Sequence, residues 1–227
     1  QEWHNVGGVT EYGVNAIAAH NDLVYIGGHF FEIAGEDIQF FAEWNGDSWS
    51  AVGSLTDRSV DGGIHAVAID GADVYVGGSF VKAGGDSVNN IARWDGENWH
   101  PLGEGLNDEV FVIVVDSGNV YAGGRFSFSG DLHVAGIAKW DGQEWSGFGE
   151  GINGRVRTIA FHGQDMYAAG SFSSAGEKWT RNIARWDGTE WHAIGGDGSL
   201  QNPGGVNGGV NSIAVDRDTL YVGGSFG

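Results

Sequence analysis

One sequence unit recurs almost five times along the chain. It runs Val-x-Ala-Ile-Ala, a short turn, Tyr-Val-Gly-Gly-Ser-Phe, a connection, then Ile-Ala-Arg-Trp-Asp-Gly-x-x-Trp-x-x-Leu-Gly. The second glycine of the doublet stands at Gly28, Gly78, Gly124, Gly170 and Gly224, in steps of 50, 46, 46 and 54 residues. The tryptophan ahead of the Asp-Gly pair stands at Trp44, Trp94, Trp140 and Trp186, in steps of 50, 46 and 46. A period of this length built from short strands is that of a β-propeller, one unit per blade. The sequence therefore predicts an all-β fold of about five blades. Each blade has four antiparallel strands and 46–54 residues, and one blade is incomplete where the termini meet. A single blade cannot bury its own faces, so the whole of residues 1–227 is expected to form one domain.

Each unit reads as four strands, a to d from the axis outwards. Strand a is rich in Val, Ile and Ala, as at Ile64–Ile69, and suits a strand covered on both sides. Asp, Asn and Gly turns lead into strand b, which ends on the glycine doublet; glycine there marks a bulge or a close approach. Strand c carries the first tryptophan and Asp-Gly turns the chain into strand d, which carries the second. The paired indoles read as filler between blades, each ring burying its face while its N–H finds a carbonyl. Strands a and b occur five times but strand c only four. Glu2-Trp3-His4-Asn5-Val6 matches strand d, so closure would bring it beside Tyr221–Phe226 with one strand missing between them. The natural chain is therefore expected to continue past Gly227 through another strand c. A donated strand from a second chain, giving an oligomer by strand addition, is the other way to cover that edge.

Composition narrows the function. With 30 acidic and 11 basic residues the formal charge is −19, which disfavours nucleic acid and anionic membrane surfaces. There is no cysteine, hence no disulfide or thiol chemistry. No apolar run is long enough to insert in a membrane. The 42 glycines suit a fold of tight turns, while a 41% apolar content with aromatics in register excludes disorder.

The string Gly-Gly-Ser-Phe-x-x-Ala-Gly-Gly…Ile-Ala-Arg-Trp-Asp-Gly resembles a family of secreted bacterial kelch-like repeat proteins. Related repeats occur in a fungal cortical polarity protein. The resemblance covers essentially the whole chain, although the spacing between doublet and tryptophan departs from kelch repeats proper. It implies an extracellular or cell-surface propeller, found in long surface proteins of Bacteroidetes-like bacteria that carry a C-terminal sorting domain. It implies no common enzymatic activity. Asp86-Ser87-Val88 and Asp218-Thr219-Leu220 match the short O-glycosylation pattern of such bacteria, and ordinary turn residues read the same way.

The a–b and c–d turns are short and uniform. The b–c connections (Phe31–Phe40, Val81–Asn89, Ser127–Gly136, Ser173–Arg181) and the d–a connections read as long and different in each unit. Alternating strand directions bring both kinds to one face, around the mouth of the axial channel, where binding residues are expected. The second residues of strand a, Asn15, His65, Phe111, Arg157 and Asn211, vary while their neighbours do not, which marks them as candidate ligand contacts. Trp179 is the one tryptophan outside the repeat positions, and it joins Tyr12 as a candidate aromatic contact. The acidic loop residues Asp57, Asp61, Glu104, Asp108, Glu109, Glu150 and Asp197 could gather around Ca²⁺, but no Asp-x-Asp-x-Asp-Gly loop is present, and no cofactor is otherwise implied. No nucleophile elbow, phosphate loop or dinucleotide fingerprint occurs. The expected function is a non-catalytic extracellular binding or assembly module. It would present its loops to a glycan or to a surface or secreted protein. The alternative is a carbohydrate-active enzyme or its accessory propeller.

Overall fold

The computed structural model describes residues 13–53, 60–217 and 219–226. Among them there is no helix, and every sheet is antiparallel. The chain divides into two compact units, Gln1–Gly105 and Leu106–Gly227.

The first unit holds two four-stranded sheets. One is built from Val14–His20, Leu23–Gly28, Phe41–Trp44 and Trp49–Ala51; the other from Gly63–Asp70, Asp73–Ser79, Ile91–Trp94 and Trp99–Pro101. The second unit holds the third sheet (Val110–Asp116, Asn119–Gly124, Ile137–Trp140, Trp145–Gly147) and the fourth (Ile152–His162, Asp165–Ala175, Ile183–Trp186, Trp191–Ala193). A fifth, of Gly208–Asp216 and Thr219–Phe226, has only strands a and b among the described residues. In the four-stranded sheets the spatial order is a-b-c-d, as expected from a chain that reverses at every step. The matched strand d at residues 2–6, Tyr12 and Asp57 lie outside the described residues, as does Asp218 of the second glycosylation-like string.

Local chemistry explains the reversals. Strands a and b are joined by two residues, the first in left-handed backbone, as at Asn21 (φ 53°), Gly71 (φ 58°), Ser117 (φ 51°) and Gly163 (φ 61°). At each c–d turn the side-chain oxygen of Asn45, Asp95, Asp141 or Asp187 accepts the backbone N–H groups two and three residues on, at 2.7–3.0 Å. The glycine after it takes up the positive φ, from 96° at Gly46 to 101° at Gly188.

Within each unit consecutive sheets stack through strand a. The first glycine of the doublet leaves room for the next repeat's aliphatic side chain. A Cβ on Gly27 would collide with Ile64 Cγ2, and one on Gly123 would stand 2.7 Å from Val156 Cγ1. Ile64 and Val156 are fully buried, each contributing about 2–3 kcal/mol of apolar burial. They sit in separate cores, one around Phe41, Val76 and Trp99, the other around Ile137, Met166 and Trp191. The tryptophan pairs pack at ring distances of 5.3–5.5 Å. Trp191 Nε1 donates to Phe148 O at 2.9 Å, the carbonyl of the preceding repeat.

Candidate functional site

In an a-b-c-d antiparallel sheet the b–c and d–a connections leave from the same end. Three features are built there.

The first is the b–c connection, which departs from the sequence expectation. It is the same device in four repeats, not an irregular loop. Phe30, Phe80, Phe126 and Phe172 are buried, and strand c begins 11 residues later in each case, at Phe41, Ile91, Ile137 and Ile183. Between them the chain folds a miniature hairpin, Lys82–Ala83 with Asp86–Ser87, Phe128–Ser129 with Leu132–His133, and Ser174–Ala175 against Lys178–Trp179. In the first repeat it shrinks to the bridge between Ile33 and Glu36. The connection ends on a residue in left-handed backbone: Phe40, Asn90, Gly136 or Asn182, φ 63–72°. The N–H of that residue returns to the carbonyl of Phe30, Phe80, Phe126 or Phe172 at 2.7–3.1 Å. Unlike residues hid the likeness, because the device is held by backbone bonds and by buried side chains as different as Ile38, Val88, Val134 and Thr180.

The second feature is a side-chain clamp between the two connections. Asp61 Oδ1 accepts Val81 N and Lys82 N at 2.8 and 2.9 Å. Asn107 does the same for Ser127 N and Phe128 N at 2.9 and 3.0 Å, and Asn153 for Ser173 N and Ser174 N at 3.1 and 2.7 Å. The sequence carried the signal: Asp or Asn stands three residues before the strand-a Ile64, Val110, Val156 and Val210. Asp61, one of the acidic residues considered for Ca²⁺, thus spends one oxygen on two N–H groups. Asp108 and Glu109 pair with Arg125 at 3.4 and 3.2 Å, and Asp197 Oδ1 accepts Ser199 N at 2.9 Å. Among the described residues no three His, Asp or Glu side chains converge as metal ligands.

The third feature is a β-bulge at the start of every strand a. Val14 pairs Gly28 and Ala16 pairs Gly27, so Asn15 is the extra residue. The same shift isolates His65, Phe111, Arg157 and Asn211. All five strand-a candidates are bulge residues, set outside the regular pairing of strands a and b. The structure partly brings them together. Arg157 Nη1 donates to Asn211 Oδ1 at 2.7 Å, linking consecutive repeats, and Asn15 Nδ2 donates to Ile64 O at 3.0 Å, beside His65. Trp179 lies on the fourth hairpin with 44% of its surface exposed. Its backbone N–H donates to Gly198 O at 2.9 Å, and neighbouring Lys178 Nζ stands 3.6 Å from Glu190.

Hairpin residues that the sequence reading did not single out share this exposure. Phe31, Val81, Phe128 and Leu132 are exposed on the b–c connections, and Leu200 on the last d–a connection. In the second unit a groove of about 200 Å³ runs beside the fourth hairpin, lined by Glu150, Glu177, Lys178, Trp186, Thr189 and Glu190 among others. In the first unit a cavity of about 270 Å³ lies at the opposite, turn end of the sheets, lined by His20, Tyr25, Ile69 and Asp95.

No protein-family model and no curated protein matches the chain. Among solved structures it is similar to the computationally designed protein Ika8, with a TM-score of 0.53 and 15% identity over 95% of this chain and 69% of that one. It is also similar to the extracellular domain of a protein described as a one-component system of B. thetaiotaomicron, with a TM-score of 0.59 and 13% identity over 94% of this chain. This chain spans 26% of that domain's length. At such identities the likeness is one of fold: an all-β, propeller-like succession of antiparallel sheets.

Proposed function

We propose that this chain is a non-catalytic binding module of about five propeller blades, working outside the cell, and that it engages a protein partner through the hairpin end of its sheets. One observation carries the reading. Ten large apolar side chains are exposed among the described residues. Six of them, Phe31, Val81, Phe128, Leu132, Trp179 and Leu200, stand on the b–c and d–a connections. The turn end has none of the ten. Aliphatic side chains such as Val81, Leu132 and Leu200 suit a protein surface better than a sugar face, and a rigid frame beneath them limits the entropy lost on binding. An extracellular site agrees with the extracellular domain among the structural neighbours. In a panel of purified surface and secreted proteins, binding measured by calorimetry should weaken at least tenfold on Trp179→Ala or Leu132→Ala, about 1.4 kcal/mol or more. Binding unchanged by both substitutions would sink the reading.

The second-unit groove favours a second reading, a carbohydrate site. It offers the partly exposed Trp186 ring for stacking, with Thr189 and three carboxylates around it. A glycan array followed by an assay for product release separates the two. Turnover lost on Glu177→Gln or Glu190→Gln would make the chain a carbohydrate-active enzyme.

A further inference from the structure

The cavity at the turn end of the first unit corresponds to a filled space in the second. It lies between the first two sheets, with Leu23 and Tyr25 on one side and Ile69, Ala72 and Val74 on the other, and holds about 270 Å³. The repeats align residue for residue here, so the third and fourth sheets show the same place with other side chains. Ile69 corresponds to Phe161, Ala72 to Gln164 and Val74 to Met166. On the wall that the later repeat supplies, all three side chains are shorter in the first unit. The facing wall keeps its tyrosine, Tyr25 or Tyr121, and exchanges Leu23 for Asn119, of similar size.

Phe161 shows what the space accepts. Its ring centre stands 4.7 Å from that of Tyr121, edge to face, and its cross-strand neighbour Met166 is buried. Such a pair of rings is favoured beyond the area that it buries. In the first unit Ile69 and Val74 are the cross-strand neighbours, and both stop short. Tyr25 stacks on Phe41 of its own sheet at 5.8 Å and lines the cavity on its other side. A cavity of roughly 150 Å³ lined by Leu, Ile and Phe already takes up benzene. The larger volume here leaves room for one ring and a polar substituent.

We propose that this cavity binds a small, uncharged molecule with one aromatic ring, seated against Tyr25 as Phe161 is seated against Tyr121. The rim sets the charge. Asp95 lines the cavity, but its Oδ1 already accepts Glu97 N and Asn98 N at 2.9 and 2.7 Å, and its Oδ2 meets His100 at 2.6 Å. With its oxygens so engaged it offers little to a cation. It also repels a carboxylate, as does a chain of charge −19. His20 and Asn21 at the mouth can hydrogen-bond a hydroxyl or carbonyl group. A free molecule fits better than a ring carried on a peptide. None of the large exposed apolar side chains stands at this end, so a peptide would find only turn residues around its ring. The site lies at the opposite end of the sheets from the hairpins and is independent of the partner surface proposed above.

Fluorine NMR of 4-fluorophenol titrated with the 227-residue chain tests this. The expected result is saturable binding at one site. Ile69→Phe supplies the ring covalently, as in the fourth repeat, and should weaken binding about tenfold or more without lowering the melting temperature. Val74→Met restores the other long side chain and should weaken binding in the same direction. In competition, cyclohexanol lacks the ring faces and benzoate carries a charge; each should displace the probe several-fold less well than phenol. N-acetylphenylalanine amide should compete no better than phenol. The proposal is overturned by the absence of saturable binding, by Ile69→Phe and Val74→Met variants that both bind like wild type, or by cyclohexanol or benzoate competing as well as phenol. A phenylalanine amide that competes about tenfold better than phenol would overturn it too, by making the cavity a dock for a peptide side chain.

Discussion

Single residues show where the repeat tolerates departure and where it does not. The five variable strand-a positions were legible as a set, because their neighbours repeat. Their cause was not, since a bulge is a two-against-one pairing with the glycine doublet and shows only once both strands are aligned. The hairpin turn offers a natural comparison. Gly84, Gly130 and Gly176 have φ of 53–58°, and the first repeat puts Ala34 in the same conformation at φ 53°. Left-handed backbone costs a residue with a Cβ about 1 kcal/mol. Ala34→Gly should therefore raise stability by up to about 1 kcal/mol, read as a higher denaturation midpoint in urea at unchanged slope; an unchanged or lower midpoint would show that no such strain exists. The clamp gives the opposite sign. Asn153→Ala leaves Ser173 N and Ser174 N to water in place of their acceptor and should cost about 0.5–1.5 kcal/mol, while Asn153→Asp keeps it and should cost much less. Equal losses for the two would show that the clamp oxygen does not matter.

At the scale of elements, the strands could be read because their apolar residues recur with the repeat. The b–c connection could not, since its order resides in backbone bonds, two left-handed positions and burial that Ala, Ser, Ile or Thr satisfies equally well. The c–d turn lies between these cases: Asp-Gly announces a turn, and the structure adds what the carboxylate does. Asp187 accepts Glu190 N and Thr189 N at 2.9 and 2.8 Å, and its other oxygen meets His192 at 2.6 Å. These donors, the Glu190 N–H foremost and then His192, hold the Asp187 carboxyl well below the usual carboxylate range. Asp95 is lowered in the same way by Asn98 N–H and His100. A carboxylate whose folded value is depressed adds stability that is fully present above its unfolded value, near 3.8, and is lost as pH falls through the folded value. The first repeat makes the same turn with Asn45, a neutral acceptor. Asp187→Asn should therefore fold at neutral pH with its turn intact and lose less stability than wild type on acidification below pH 4. Thermal melts from neutral to acid pH check this; parallel curves for the two proteins would show that the turn carboxylate is not linked to folding.

For the whole molecule, the period was legible and with it the all-β class. The cavity between the first two sheets was not, because Ile69 and Val74 read as ordinary apolar members of their repeats and only the fold shows that they wall one space. The net charge is the other property of the whole chain, and it bears on stability. Against 30 acidic residues stand 11 lysines and arginines. Arg93, Arg125, Lys178 and Arg185 pair with specific carboxylates, leaving a large surplus of negative charge on the surface. Two electrostatic effects then compete when salt is added. The turn caps and the clamp act through hydrogen bonds of about 3 Å and are barely screened. The repulsion acts over longer distances, and raising ionic strength from ~0.01 M to ~0.15 M shortens the screening length from ~30 Å to ~8 Å. Repulsion is therefore the larger loss, and salt should stabilise the folded chain. A gain of about 1 kcal/mol corresponds to a rise of roughly 2–4 °C in Tm for a protein of this size. The rise should be present at pH 7 and vanish near pH 4.5, the isoelectric point, where the net charge falls to zero. Calorimetry across a sodium chloride series at both pH values, at one low protein concentration, decides it. A Tm at pH 7 that falls with salt would mean that the surface ion pairs, not the repulsion, dominate the electrostatics of this chain.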